Sequence, residues 1–408
     1  MAVDTEEEHL RQLAFLEFNL LRHFNESHLE GLRGAEISAE NTVLWDLNGQ
    51  PLLHRHALIR DDKGVGFIDV GVQRHSLALF QTASRNTWDP DSLIARAETE
   101  AKRLLPERSF SAARFVCYSF PRVAVQLLDG EGAEVLMLSV GSWAKVPPAR
   151  HREAGELISD FERWSFLEEH AQAGGKHIEL RIGVLDAFAF GLTDGLRGEL
   201  FGSVGLSTEI LPPSVGYSGG ETKCQMYLIP QENDVWCVPA SVQMTLRCFN
   251  RQFRRQSLVA DALLQNGGNP QEADPLQEPT RVADAVAKLS EGSLEITVQP
   301  KPQFGDFQKQ IEDNGPVLCQ ISGHMYVVTG YKAITSLTSV LSQTLLVYDP
   351  EPPGQGSIGP VSFAPDRYIN NYNIHRAATL IAKLRRLKAL PLRLFRRLLG
   401  QLDELHRS

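Results

Sequence analysis

The residue types that could carry out nucleophilic chemistry on a carbonyl group stand in three separate stretches of the chain. The first is Gln231-Glu232-Asn233-Asp234-Val235-Trp236-Cys237-Val238-Pro239-Ala240-Ser241-Val242-Gln243-Met244. It passes from turn-forming polar residues through an aromatic residue and a cysteine to a proline and good helix formers. Proline is tolerated in the first turn of a helix, so the pattern predicts Cys237 at a helix mouth. Unpaired backbone N–H groups at such a mouth favour negative charge and ease loss of the thiol proton, and the thiolate is the nucleophile. Six residues upstream, Gln231 can aim its amide at an oxyanion beside the backbone N–H of Cys237. A nucleophile needs a base, and the base an orienting group. His324 opens the strand-like run Ser322-Gly323-His324-Met325-Tyr326-Val327-Val328-Thr329-Gly330-Tyr331, and Asp349 ends Leu345-Leu346-Val347-Tyr348-Asp349-Pro350.

These stretches together resemble the papain-like cysteine peptidases. The resemblance rests on Gln231, five residues, Cys237, then Pro239-Ala240-Ser241, followed by Gly323-His324 with its Val-Val-x-Gly-Tyr strand and by Val347-Tyr348-Asp349-Pro350. It covers roughly residues 221 to 375. It is nearest to the compact bacterial branches, the double-glycine (bacteriocin-processing) peptidases and the effector proteases, because Cys237 and His324 are only 87 residues apart. The resemblance implies a two-lobed domain, a Cys237-His324-Asp349 catalytic triad, Gln231 as oxyanion-hole donor, a peptide or protein substrate, and no cofactor or metal. Val238 departs from the Cys-Gly-Pro usual in double-glycine peptidases and implies a bulkier wall beside the nucleophile. Two other functions use the same residues: acyl transfer to an amine, as in transglutaminase-like folds, and a binding module that kept the fold without turnover.

Length and charge narrow the field. A chain of 408 residues exceeds one typical domain, and 42% hydrophobic residues is ordinary for a globular protein. A net charge of −9 runs against general nucleic-acid binding, which needs a basic face. The acidic start Met1-Ala2-Val3-Asp4-Thr5-Glu6-Glu7-Glu8 is unlike a secretory signal, and no apolar run reaches the ~18 residues of a membrane span. Cytoplasmic residence is the expectation, with non-classical export left open. Five cysteines, Cys117, Cys224, Cys237, Cys248 and Cys319, make an odd total without Cys-x-x-Cys spacing, which predicts neither a disulfide framework nor structural zinc.

The elements that must position these groups can be read in outline, and the fold class they predict is α+β. Thr5 and Glu8 have capping-box spacing ahead of Leu10, Leu13, Leu16, Leu20 and Phe24, which predicts an amphipathic helix. Runs at 42–45, 52–59 and 65–70, divided by Asn48-Gly49 and Asp61-Asp62-Lys63-Gly64, read as hairpin strands. A helix over 90–105, starting near Asp91 or Ser92, precedes strands at 115–120, 123–128 and 135–140. A charged helical pattern spans 150–170, and 178–184 reads as another strand. Leu211-Pro212-Pro213-Ser214-Val215-Gly216-Tyr217-Ser218-Gly219-Gly220 has linker composition. The expected organisation is therefore an accessory α+β domain with mostly antiparallel strands (1–210), a linker (211–220), the papain-like domain (221–378) and a tail (379–408). Within the third part, helices at 281–289 and 304–313 precede adjacent strands at 317–321 and 325–331.

Three further features stand apart. His54-Arg55-His56 puts two imidazoles on one strand face with no third ligand nearby, which reads as a solvated face rather than a metal site. Between Ile381 and Arg397 seven basic residues alternate with leucines and no acidic residue intervenes. Such a tail suits an anionic membrane surface, an acidic partner or the acidic body of its own chain. Gly219-Gly220 suits a flexible linker, and, given the double-glycine resemblance, also a self-processing site.

Overall fold

The computed structural model describes residues 5–23, 27–72, 79–148, 163–170, 175–192, 215–250, 254–264 and 279–377. These hold eight α-helices and fourteen strands, an α+β composition. In the first half come α1 (Thr5–His23), β1 (Glu36–Asp46), β2 (Pro51–Arg60), β3 (Lys63–Gly71), β4 (Phe80–Ser84), α2 (Pro90–Leu104), β5 (Ala112–Ser119), β6 (Arg122–Leu128) and β7 (Glu134–Ser139). After α3 (Phe166–His170) and α4 (Gly175–Phe190) follow β8 (Gly216–Glu221), α5 (Cys237–Asn250), α6 (Gln256–Leu263) and α7 (Pro279–Leu289). The chain then forms β9 (Leu294–Pro300), α8 (Phe304–Asp313), β10 (Val317–Ile321), β11 (His324–Thr335), β12 (Val340–Asp349), β13 (Ser357–Ser362) and β14 (Tyr368–Arg376).

All fourteen strands belong to one sheet, in the order β7-β6-β5-β1-β2-β3-β4-β13-β12-β11-β10-β14-β9, with β8 paired to β11. Every pairing is antiparallel except β1 with β5. The two halves join where Thr82 of β4 meets Val361 of β13. A Cβ at Gly359 would collide there with the carbonyl of Ala83, so the approach needs a residue without a side chain. Packing crosses the same line. One apolar cluster holds Leu44, Phe115 and Leu138 together with Phe304, Tyr331 and Leu345, and a second joins α1 to Ile334 and Leu341.

α1 is buried more widely than an amphipathic surface helix. Glu17 is fully enclosed, in contact with Arg181 of α4 and accepting from Ser342 Oγ of β12 at 2.8 Å. This pairing offsets the cost of burying its charge.

Several expectations need correction. Residues 178–184 lie in helix α4, not a strand. Ile178, Ile182, Leu185 and Ala189 are its buried face, a helical spacing that outweighs the β-branched content. Gly216–Glu221, of which 216–220 fall in the expected linker, is a strand with all six residues paired to β11. Gly220 packs so close to the Tyr331 ring that an added Cβ would stand 2.8 Å from Cε1. Cleavage after Gly219-Gly220 would therefore require this strand to leave the sheet. α2 starts at Pro90, beside Asp91 and Ser92 as expected, and is capped by Asp89, which accepts from Ser92 N at 3.2 Å. The His54-Arg55-His56 face is covered, not solvated, because α1 lies over it. His56 is fully buried with its ring 5.0 Å from that of Phe15, and His54 Nδ1 is 3.1 Å from Glu7 Oε1.

Cys224 and Cys248 form a disulfide, Cα atoms 5.6 Å apart. An odd cysteine count hid this pair, since only folding brings the start of the segment ahead of Gln231 to the end of α5. Disulfides are rare in a reducing cytoplasm, so the pair weighs against the cytoplasmic expectation. No described helix is long and apolar enough to cross a membrane. The charged pattern over 150–162, the stretch 211–214 and the basic tail lie outside the described residues.

Candidate active site

Cys237 begins α5, as the proline-bearing sequence predicts, with Trp236 one residue ahead. The carbonyl of Trp236 accepts the Ala240 N–H at 3.0 Å and so closes the first turn. The cysteine side chain is fully buried in an apolar cluster with Val238, Val242, Met325 and Val327. One turn further along α5, Ser241 Oγ donates to the carbonyl of Met325 at 3.1 Å, which docks the helix on the first residues of β11. Met325 follows His324 directly, so the contact joins the helix that Cys237 begins to the strand that His324 begins.

His324 is also fully buried. Its Nε2 lies 2.8 Å from Asp349 Oδ1, at the end of the neighbouring strand β12. A carboxylate only accepts, so this bond puts the ring proton on Nε2. Nδ1 then carries the lone pair, and it has no hydrogen-bond partner. Asp349 itself accepts from the N–H of Glu351 at 2.9 Å through the same oxygen, which fixes its rotamer.

Gln231 is tied to this region by its backbone. Its N–H donates to the carbonyl of Pro350 at 3.0 Å, and its carbonyl accepts from Gly354 N–H at 3.0 Å. Gln256, at the start of α6, grips the residues on either side: Oε1 accepts from Glu232 N–H at 3.0 Å and Nε2 donates to the carbonyl of Pro230 at 2.8 Å. The Gln231 side chain is fully buried, yet neither amide atom has a hydrogen-bond partner. An unmade bond of this kind costs about 1–3 kcal/mol.

The structure thus bonds His324 to Asp349, ties the Gln231 backbone to Pro350 and docks the helix that Cys237 begins on β11. A cavity of about 160 Å³ lies between the two halves, lined by Arg55, Asp69 and Trp88 of the first and Tyr326 and Arg367 of the second, among others. Of the four candidate residues, only Asp349 borders it. The remaining thiols outside the disulfide, Cys117 and Cys319, are pushed well up by burial and are poor nucleophiles at neutral pH. Among the described residues no cluster of His, Cys, Asp and Glu could hold a metal ion.

Sequence reading missed the groups that hold the Gln231–Cys237 loop. Asp234, read only as a turn former, accepts from Ser139 Oγ at 3.1 Å and from Ser142 Oγ at 2.6 Å, both from the first half. Nothing local in either stretch signals a contact more than ninety residues away in sequence.

No curated protein matches the chain. Residues 224–373 match the model of the Peptidase_C39 like family, which supports a papain-like cysteine peptidase family for that part of the chain and contains all four candidate residues.

Proposed function

We propose that the chain hydrolyses peptide bonds, with Cys237 as nucleophile, His324 as general base and then acid, Asp349 orienting the imidazole, and Gln231 with the Cys237 N–H as the oxyanion hole. The observation that carries this reading is the buried imidazole of His324. A carboxylate holds its Nε2, its Nδ1 has no hydrogen-bond partner, and the helix that Ser241 docks on the next residue of the strand begins with a thiol.

The steps follow from these groups. Nδ1 takes the thiol proton, and the sulfur bonds to the peptide carbonyl carbon. The carbonyl electron pair moves to oxygen, where the Gln231 amide and the helix-mouth N–H meet it. Collapse breaks the C–N bond as the imidazolium protonates the leaving amine, and Asp349 stabilises the charged ring meanwhile. Water, deprotonated by His324, then releases the acid and restores the thiol.

Incubation of the full chain with unfolded casein, beside a Cys237→Ala control, tests the reading. Peptide mapping after brief iodoacetamide treatment adds a second readout. Expected are cleavage that the control lacks and labelling at Cys237 that His324→Ala suppresses, with Cys117 and Cys319 spared. Cleavage surviving in the control, or Cys237 no more reactive than the buried thiols, overturns it. An amide product with an added primary amine, in place of the acid, redirects the chemistry to transfer.

A further inference from the structure

The loop from Gln231 to Cys237 carries both halves of the proposed oxyanion hole, the glutamine amide at one end and the helix-mouth N–H at the other. Its first end is fixed from within the matched region by Pro350, Gly354 and Gln256. Its middle is fixed from outside. Asp234 stands three residues from each end, and its two carboxylate oxygens accept separately from Ser139 and Ser142. Ser139 in turn accepts from the buried Tyr118 hydroxyl at 3.3 Å, so its own proton is directed at Asp234. Such a chain of hydrogen bonds, ending on a charged acceptor, is stronger than its neutral links.

The turn that carries these serines also touches the loop after Asp349. A Cβ at Gly141 would lie 3.0 Å from Pro352 Cβ, and with φ of +109° the position favours glycine on both counts. One turn of the first half therefore rests on the two loops that deliver Gln231, Cys237 and Asp349.

We infer that Ser139 and Ser142 are positioning residues for the oxyanion hole, acting through Asp234, so that the first half of the chain completes the catalytic apparatus of the second. This rests on the peptidase reading above. Two small probes separate the hole from the nucleophile. Iodoacetamide is attacked at its CH₂ carbon: the S–C bond forms, the C–I bond breaks and iodide leaves, with no oxyanion. p-Nitrophenyl acetate is attacked at its carbonyl carbon through an oxyanion. The ester C–O bond then breaks, p-nitrophenolate leaves with the electron pair, and the acetyl group stays on sulfur.

Both rates are measured on the full chain for wild type, Ser142→Ala, Ser139→Ala/Ser142→Ala and Ser142→Thr, with Cys237→Ala as background. The double variant is expected to acylate about 10- to 100-fold more slowly, while alkylation at Cys237 stays within about twofold. Ser142→Ala, at an exposed position, should show the same split more weakly, and Ser142→Thr, which keeps the hydroxyl, should restore acylation. Unchanged acylation in the double variant overturns the inference. So do two rates that fall together, as in a loosened fold, or rise together, as when a cover is removed. A wild type that shows neither reaction at Cys237 removes the peptidase reading itself.

Discussion

Among the described residues two histidines, His56 and His324, are fully buried, and each has one ring nitrogen engaged and one without a partner. His56 on β2 sets Nδ1 2.9 Å from the carbonyl of Ser38, while His324 on β11 sets Nε2 2.8 Å from Asp349. Both acceptors leave the opposite nitrogen as the basic one. The difference lies in what a proton on that nitrogen would meet. Around His56 it meets a neutral carbonyl and the edge of an apolar cluster, and burial pushes the imidazole down to about 4. Around His324 a carboxylate is in place to stabilise a charged ring, and a helix that starts with a thiol is docked alongside. Burial alone makes a histidine inert. Under the proposed mechanism, the carboxylate behind His324 is what sets it apart.

Exchanging the two rings for other side chains breaks the comparison most directly. His324→Ala is expected to lower hydrolysis by about 10⁴-fold or more, and Asp349→Asn by about 10²- to 10⁴-fold, since loss of the orienting group leaves the wrong tautomer accessible. His56→Gln should leave the rate unchanged at neutral pH. Steady-state hydrolysis, read beside the thermal midpoint of each variant, checks all three. A loss for His56→Gln as large as for His324→Ala would show that the loss follows folding rather than chemistry.

A second contrast sharpens the same point through charge. Next to His56, the guanidinium of Arg55 bonds both oxygens of Asp69, at 2.7 and 2.8 Å, and lies over the rings of Phe67 and Trp88 at 3.8 and 4.3 Å. Here every charge is matched within the fold, whereas in the candidate site Gln231 and His324 keep unmatched atoms. Asp69→Ala strands a buried guanidinium and should cost about 3–5 kcal/mol in urea unfolding, while Arg55→Met with Asp69→Leu should cost far less. Equal losses for the single and double changes would show that shape rather than charge holds this pair.

The candidate site was largely legible because its residue types carry chemistry and its local patterns carry structure. Pro239 placed Cys237 at a helix mouth, and the β-rich runs placed His324 and Asp349 on strands. α8 was legible for similar reasons. Asn314-Gly315-Pro316 marks its end in the sequence, and the structure adds a capping box between Gln303 and Asp306 at its start. What stayed hidden depends on contacts made at a distance. Gly216–Glu221 has no side-chain alternation to announce a strand, and only β11 makes it one. Cys224 and Cys248 pair because α5 returns its end to the segment before Gln231. Ser139, Ser142 and Asp234 meet only after the whole sheet has formed. His54 and His56 looked solvated because the helix that covers them lies forty residues earlier in the sequence.

The smallest effect tests the inert ring by pH. Burial lowers the His56 imidazole from its ordinary 6.5 to about 4, assisted by the charges of Arg11 and His54, while the Ser38 carbonyl and Glu8 pull the other way. Above pH 6.5 the ring is neutral in both folded and unfolded chains and contributes nothing to the pH dependence. As pH falls below 6.5 the unfolded chain takes up a proton that the folded chain refuses, so stability drops. The drop stops near pH 4, where the folded ring also protonates, and by then amounts to on the order of 3 kcal/mol. His56→Gln has no imidazole to titrate, so its urea midpoint should decline less steeply than that of wild type across this window. The residual slope includes the other histidines lowered by burial, His23, His54, His177 and His375, and Glu8, whose carboxyl Arg11 holds low. Parallel curves for the two proteins would mean that the His56 ring gains its proton without leaving the fold, and the distinction drawn between the two histidines would then have to rest on Asp349 and Cys237 alone.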